Sequence, residues 1–122
     1  MNPTLFEKIG GKEIVEKASH YLYVNILSDD RINHFFKDID IEKQKRKMSA
    51  FLTYIFGGPS LYLGKDMRRA HRNAVASGLG DGHVDAMMEC VRKALDELDI
   101  DSDAIDEVIQ TIEKHRDDVL NR

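Results

Sequence analysis

The chain has 122 residues, of which 33% are charged and 42% are apolar, and its formal net charge is −4. This length supports one domain with a single core, and the mildly acidic balance argues against a nucleic-acid-binding protein, which would carry clustered Lys and Arg. A single cysteine, Cys90, excludes an intrachain disulfide. No apolar run reaches membrane-spanning length and the N-terminus lacks a signal-peptide pattern, so we expect a cytoplasmic monomer without membrane or nucleic-acid partners.

Helical periodicity is nearly continuous between glycine breaks, which predicts an all-α fold. A short helix is predicted over residues 3–9, starting at a proline and stopping at Gly10-Gly11. A second helix is predicted over about residues 12–27, and its inward side chains are Ile14, Ala18, Ile26 and either Leu22 or Tyr21. The Ser-Asp-Asp run at 28–30 ends it and can cap the next turn, which carries Ile32, Phe35 and Phe36.

A third helix is predicted over residues 41–56, and two polar side chains enter its core-facing stripe. The stripe consists of Gln44, Lys47/Met48, Phe51/Leu52 and Ile55. Burying unpaired polar groups is costly, so an amide and an amine on this face indicate a site. After Gly57-Gly58-Pro59, residues 59–70 have an irregular pattern that ends in His71, which can reach back across a cavity. Two nitrogen donors, Lys47 and His71, across an apolar slot suit an axially ligated haem.

The C-terminal half is predicted to contain two more long helices. Gly78, Gly80 and Gly82 form a predicted hinge before a helix over about residues 83–98, whose stripe is Val84, Met87/Met88, Val91, Ala94/Leu95 and Leu98. The last helix follows Ser102, with a stripe of Ile105, Val108/Ile109, Ile112, His115 and Val119. The ring of His115 is therefore expected to point toward the core. In all, we predict four substantial helices plus short ones.

Other chemistries have weak support in the sequence. The five histidines show no i,i+4 pair for a helical zinc site, and there is no Cys-x-x-Cys-His haem-attachment motif. No Ser/His/Asp constellation is visible. The glycine pairs stand where helices end, so chain reversal explains them more simply than a phosphate-binding loop. Cys90 is interpreted as a small hydrophobic core residue.

Several segments occur in a specific order along the chain: LFEKIGG, DDRINHFF, KQ followed by AFLTYIFGGP, Tyr62-x-Gly64-x-x-Met67-x-x-Ala70-His71, Gly82-His83-x-Asp85, ALDELDI and KHRDDVLNR. In this order they resemble the truncated haemoglobins of group I over essentially the full length, and the tail resembles that of cyanobacterial and algal members. The resemblance implies a single globin domain over residues 1–122, a two-over-two helical sandwich that holds b-type haem.

The resemblance also assigns roles to individual residues. His71 matches the proximal iron ligand, while the competing His83, beside Asp85 at a helix start, fits a capping role better. Tyr23 matches a distal hydroxyl donor (its alternative is a plain core tyrosine), and Gln44 matches a distal glutamine. The remaining expected pocket residues are Phe35, Phe36, Met48, Phe51, Leu52, Met67, Met87, Met88 and Val91. Met48 replaces a residue that is polar in many relatives, which would reduce the distal hydrogen-bond network.

Two positions carry sharper hypotheses. Lys47 stands where cyanobacterial members have an iron-binding histidine, and some algal members have lysine there; it is expected to be the sixth iron ligand, or alternatively to extend to the haem propionates or solvent. A lysine must be neutral to bind iron, which makes ligation pH-dependent. His115 matches a histidine that bonds covalently to a haem vinyl carbon; the alternative is an unbonded histidine at the haem edge.

The expected function is a haem protein that binds O2, NO and other diatomic ligands. An internal sixth ligand together with strong distal hydrogen bonds disfavours oxygen transport, and favours nitric oxide dioxygenation or detoxification of reactive nitrogen and oxygen species with an unidentified reductant. The chain would then have an enzymatic activity, which the residues alone do not establish. Electron transfer or redox sensing, simple oxygen storage, and a haem-free helical interaction module are the alternatives.

Overall fold

The computed structural model of the protein describes residues 4–37, 40–58 and 64–122. Its α-helices, numbered in chain order, are α1 Leu5–Ile9, α2 Lys12–Leu27, α3 Ile41–Ile55, α4 Gly64–Ala76, α5 Asp81–Glu97, α6 Ser102–Lys114 and α7 Arg116–Val119, with a short 3-10 helix at Asn33–Phe36. The all-α prediction is confirmed. Within the described ranges, no helix has both the length and the apolar character needed to cross a bilayer.

The first three helices begin and end largely where side-chain capping and glycine place them. The hydroxyl oxygen of Thr4 accepts a hydrogen bond from the Glu7 N–H at 3.2 Å, so α1 begins at Leu5 rather than at residue 3, which lies outside the described residues. It ends at Gly10, whose φ of +118° suits glycine. The bounds predicted for α2 are confirmed, and α3 ends at Ile55, one residue earlier than predicted.

The fold contains two layers of paired helices. α2 packs against α3 and α5, and α5 packs against α6, so α2 and α3 lie over α5 and α6. The shared core is built from the apolar stripes of these four helices, including Val15, Leu22, Ile26, Leu52, Ile55, Val91, Leu95, Val108 and Ile112. Leu22 takes the inward position that the sequence left open, and Tyr21 is 39% exposed. The predicted two-over-two helical sandwich is confirmed.

Helix α4 corrects the prediction for the segment before His71. Residues 59–63 lie outside the described part of the chain, but from Gly64 onward the chain is helical, so the predicted irregular segment is wrong there and His71 stands inside a helix. The inward face of α4 carries Met67, His71 and Val75, at spacings of four residues. Met67 and Val75 are the only large apolar residues between Gly64 and Ala76, so this helix offers few apolar positions from which to predict it.

The C-terminal half contains two further corrections. α5 begins at Asp81, so Gly82 lies in its first turn and is not part of a hinge. The last predicted helix is two helices, because the backbone of His115 (φ −100°, ψ 3°) interrupts it before α7. Five of the described helices have 13 or more residues, against the four predicted.

Candidate functional site

His71 is held in one tautomer by its own helix. Its Nδ1 lies 2.7 Å from the carbonyl oxygen of Met67, one turn earlier, and Met67 is fully buried. A carbonyl oxygen only accepts hydrogen bonds, so Nδ1 carries the hydrogen and Nε2 keeps its lone pair. An imidazole oriented in this way by a backbone carbonyl is the form that binds a metal through Nε2. The half-buried His71 therefore has the donor chemistry that a haem iron requires.

The structure corrects the position predicted for Lys47. Met48 is buried in the core-facing stripe of α3, whereas the side chain of Lys47 is exposed. Successive residues of a helix are 100° apart, so Lys47 lies on the flank that it shares with Phe51 and Tyr54, four and seven residues later. Gln44 is half-buried near the same flank. The amine thus stands beside the packed face of α3, not within it.

Tyr23, the predicted distal hydroxyl donor, is a buried phenol on α2. It is 3% exposed, and its ring makes an edge-to-face contact with Phe36 at 6.2 Å between centroids. Among the residues that the structure describes, none accepts or donates a hydrogen bond at its hydroxyl. That hydroxyl is therefore available to a ligand, as a donor in the distal role requires.

The predicted pocket walls fall into two groups. Met48, Leu52, Met67 and Val91 are buried, and Phe35, Phe36, Phe51, Met87 and Met88 are half-buried. The ring of Phe35 also meets His83, at 5.0 Å between centroids. Half-buried aromatic and thioether side chains beside a packed core form an apolar wall that suits a flat apolar cofactor.

His83 caps α5, as the sequence suggested. Its Nδ1 accepts a hydrogen bond from the Gly80 N–H at 2.9 Å. In the neutral imidazole the remaining hydrogen is then on Nε2, which leaves no ring nitrogen free to bind a metal. The structure therefore gives His83 the capping role, and the proximal role stays a prediction for His71.

His115 lies at the junction of α6 and α7 and is half-buried, in keeping with the inward direction predicted for its ring. Its Nδ1 is 2.9 Å from the carbonyl oxygen of Thr111, and its Nε2 is 3.3 Å from the hydroxyl of Tyr54. By the same reasoning as for His71, Nδ1 carries the hydrogen and Nε2 accepts one from Tyr54. The contact joins α3 to the C-terminal end of α6.

Residues that the sequence did not single out anchor the helix of His71. The guanidinium of Arg68 on α4 pairs with Asp118 on α7 at 3.0 Å and donates to the carbonyl oxygen of Arg122 at 2.7 Å. The amide of Asn121 donates to the carbonyl oxygen of Arg68 at 3.1 Å. Because partners some 50 residues apart leave no local pattern, sequence reasoning had no signal for this contact between α4 and the C-terminus.

The C-terminal segment is in turn fixed to the start of α5. The side chain of Arg116, 15% exposed, bridges Asp81, Asp85 and Glu113. Hydrogen bonds from Arg122 and Arg116 hold the pKa of Asp81 below its usual value, and hydrogen bonding from Arg116 lowers the pKa of Glu113.

Cys90 lies on the opposite side of α5 from this network. It is buried, as expected of a core cysteine, and its thiol meets a carboxylate oxygen of Asp29 at 3.8 Å. Burial raises the pKa of the Cys90 thiol to about 11, so this thiol is not poised for nucleophilic chemistry.

Comparison with known proteins agrees with this architecture. The family model of bacterial-like globins matches residues 4–121. The group 1 truncated haemoglobin GlbN of Synechocystis sp. is 43% identical over 122 residues, which cover 98% of each chain. The crystal structure of the 2/2 haemoglobin of Synechococcus sp. PCC 7002, in the cyanomet state and with covalently attached haem, matches with a TM-score of 0.91 at 42% identity and covers 98% of this chain and 100% of that one.

A third match comes from a ciliate: the Fe(III) form of the truncated haemoglobin of Tetrahymena pyriformis has a TM-score of 0.88 at 36% identity, covering 97% of this chain and 98% of that one. The chain therefore belongs to the bacterial-like globins. Its relatives place it among the group I truncated haemoglobins, so the family predicted from the sequence is confirmed. Membership of a globin family implies haem as the cofactor and small diatomic molecules such as O2 as ligands.

Proposed function

We propose that the chain binds haem b with Nε2 of His71 as the proximal iron ligand. The observation that carries the proposal is the 2.7 Å contact between Nδ1 of His71 and the carbonyl of Met67, which leaves Nε2 as the nitrogen with a free lone pair. When bound, haem iron supplies the binding of O2 and NO and the oxidation of NO by O2 to nitrate. The protein sets access, polarity and orientation around it.

On the distal side we assign Lys47 as the sixth ligand when no external ligand is present. The exposed amine stands on the same flank of α3 as Phe51, a predicted pocket residue, and its long flexible stem allows the amine to turn inward. A lysine binds iron only through a neutral amine, so coordination by a charged ammonium group requires the loss of a proton. An external ligand must displace the amine, which lowers its apparent affinity.

The hydroxyl of Tyr23 and the amide of Gln44 are the donors that would orient a diatomic ligand. A donor aimed at a partly negative oxygen stabilises it and slows its release. Slow release and an internal gate suit nitric oxide dioxygenation, or detoxification of reactive nitrogen and oxygen species, better than oxygen transport. The exposed position of Lys47 favours one second candidate, an open distal site that simply binds or stores oxygen.

The test uses protein reconstituted with haem and compares two substitutions with matched controls. His71→Ala should weaken haem retention at least tenfold, measured by transfer of haem to apomyoglobin, whereas His20→Ala, at an exposed histidine of α2, should leave retention unchanged. If His71→Ala retained haem as well as the wild-type protein does, the assignment of His71 as the proximal ligand would be contradicted.

Lys47→Ala should convert a low-spin ferric absorption spectrum to a high-spin, water-bound one, and Lys43→Ala, at an exposed lysine of the same helix, should not. A high-spin wild-type spectrum would instead favour the open oxygen-binding site. For a protein that passes this test, stopped-flow mixing of the oxygenated form with NO should yield nitrate stoichiometrically, and a slow or incomplete reaction together with fast electron self-exchange would favour electron transfer.

A further inference from the structure

The contact between Tyr54 and His115 has a chemical consequence beyond packing. The two rings meet edge to face at 5.6 Å between centroids, and the phenol hydroxyl is 3.3 Å from Nε2. Tyr54 comes from α3 and His115 from the end of α6, so the fold brings an O–H donor to this ring nitrogen from a different helix.

The tautomer of His115 makes Nε2 the reactive atom. Because Nδ1 donates its hydrogen to the carbonyl of Thr111 at 2.9 Å, the nucleophilic lone pair of the neutral ring is on Nε2. Tyr54 donates to this same lone pair. The nitrogen that would form the bond therefore lies next to a proton that can be transferred.

We propose that Tyr54 is the proton donor for covalent attachment of His115 to a haem vinyl group, an inference that rests on the proposed function. In the reaction a bond forms between Nε2 and the inner vinyl carbon, the carbon–carbon π bond breaks, and the outer carbon takes the phenol proton. The imidazole then loses its Nδ1 proton, which restores the phenol through solvent. The sum is addition of N–H across a double bond, and it consumes no oxidant or reductant.

A phenol O–H held at hydrogen-bond distance from the reacting nitrogen can act as a general acid. Among the described residues, Glu113, Lys114 and Arg116 flank His115 in the chain, and Arg116 bridges Asp81 and Asp85 of α5. Lys47 lies on the flank of α3 shared with Tyr54. Carboxylates and guanidinium groups keep their charge between about pH 7.5 and 9. Any effect of pH on the two lysines is common to wild type and Tyr54→Phe, so the difference between their pH profiles reports the proton donor.

The experiment measures how fast haem becomes linked to the full chain. Haem-reconstituted protein is reduced with dithionite without air and quenched in acid at successive times, and the fraction of haem that resists extraction is measured together with the intact mass of the chain. Tyr54→Phe keeps the ring beside His115 and removes only the hydroxyl. His115→Ala gives the unlinked baseline, and Tyr21→Phe removes a hydroxyl from a tyrosine that is 39% exposed.

We expect Tyr54→Phe to slow attachment at least tenfold, and Tyr21→Phe to react like wild type. From about pH 7.5 to 9 the Tyr54→Phe rate should fall about tenfold per pH unit relative to the wild-type rate, because its proton comes from solvent. A purely structural role of Tyr54 would slow attachment without steepening this profile, and would overturn the proposal.

Two other results would also overturn it. Attachment by Tyr54→Phe at the wild-type rate would show that the proton comes from elsewhere, and faster attachment would show that the hydroxyl restrains Nε2. If wild type retains haem through His71 but never links it, the attachment itself is wrong while the proximal assignment stands. If wild type takes up no haem, the proposed function fails first.

Discussion

The hydroxyl pair formed by Ser19 and Ser49 links α2 and α3, the helices that carry Tyr23 and Lys47. Ser19 on α2 is 2% exposed; its Oγ donates to the carbonyl of Val15 and accepts from Oγ of Ser49 on α3, both at 2.9 Å. Ser49 follows Lys47 by two residues. Replacing either serine by alanine should remove a hydrogen bond worth about 1 kcal/mol net, because Ser19 is closed to water and cannot exchange its partner for solvent.

The expected change in melting temperature follows from the chain length. For 122 residues the entropy of unfolding is about 0.26 kcal/mol/K, so 1 kcal/mol corresponds to about 4 °C. In a double-mutant cycle, Ser19→Ala and Ser49→Ala should each lower the free energy of unfolding by about 1 kcal/mol, and the double variant should lose about 1 kcal/mol less than their sum.

Ser28, the residue that follows the last residue of α2, provides the control. Its hydroxyl also donates to a carbonyl one turn back, at 2.9 Å, but it is exposed. Ser28→Ala should therefore change the urea midpoint little. A coupling between Ser19 and Ser49 below about 0.3 kcal/mol, within the range of independent sites, would refute the view that this pair holds α3 on α2.

Two further predictions concern the ends of α5. Asp81→Asn should lower the urea midpoint at pH 7, because the folded state favours ionised Asp81. That stability is present above the usual carboxyl pKa and is lost as the pH falls through the lowered one, so the difference between variant and wild type should shrink on acidification. Asp96→Asn, at an exposed carboxylate of α5, is the control, and an Asp81→Asn deficit that does not shrink as the pH falls would contradict the ion-pair explanation. Asp99 has a φ of +58°, so Asp99→Ala should cost about 1 kcal/mol in urea unfolding and Asp99→Gly should not; equal values would show that the left-handed backbone is not strained.

The sequence was sufficient for α2, α3 and the layers they form, because each buries a regular apolar stripe that ends at a glycine or a cap. It was insufficient for α4. There the inward face has His71 between Met67 and Val75, so the residue with the proposed function stands where an apolar side chain would have made the helix visible. A functional side chain on an inward face weakens the pattern that predicts its own helix.

The position of Lys47 shows a second limit. A spacing of three or four residues is compatible with either Lys47 or Met48 in the apolar stripe. Successive residues are rotated by 100° around the helix axis, so only one of the two can face the centre of the core. The structure buries Met48. Motif matching singled out His71 as the predicted proximal ligand and His83 as a cap without help from periodicity, and the cap is confirmed. Contacts such as that of Tyr54 with His115 join residues 61 apart and require the folded chain.

The two helices that carry the proposed iron ligands are held by different forces. α3 packs on α2 through buried side chains such as Met48 and Leu52, whereas α4 is anchored to the C-terminal segment by Arg68 and Asp118, whose side chains are 43% and 37% exposed. Apolar packing responds little to salt, but exposed ion pairs are screened by it. Salt and acid should therefore destabilise α4, which carries His71, before they destabilise α3, which carries Lys47. The C-terminal segment, although distant in sequence, thus belongs to the environment of the proposed proximal ligand.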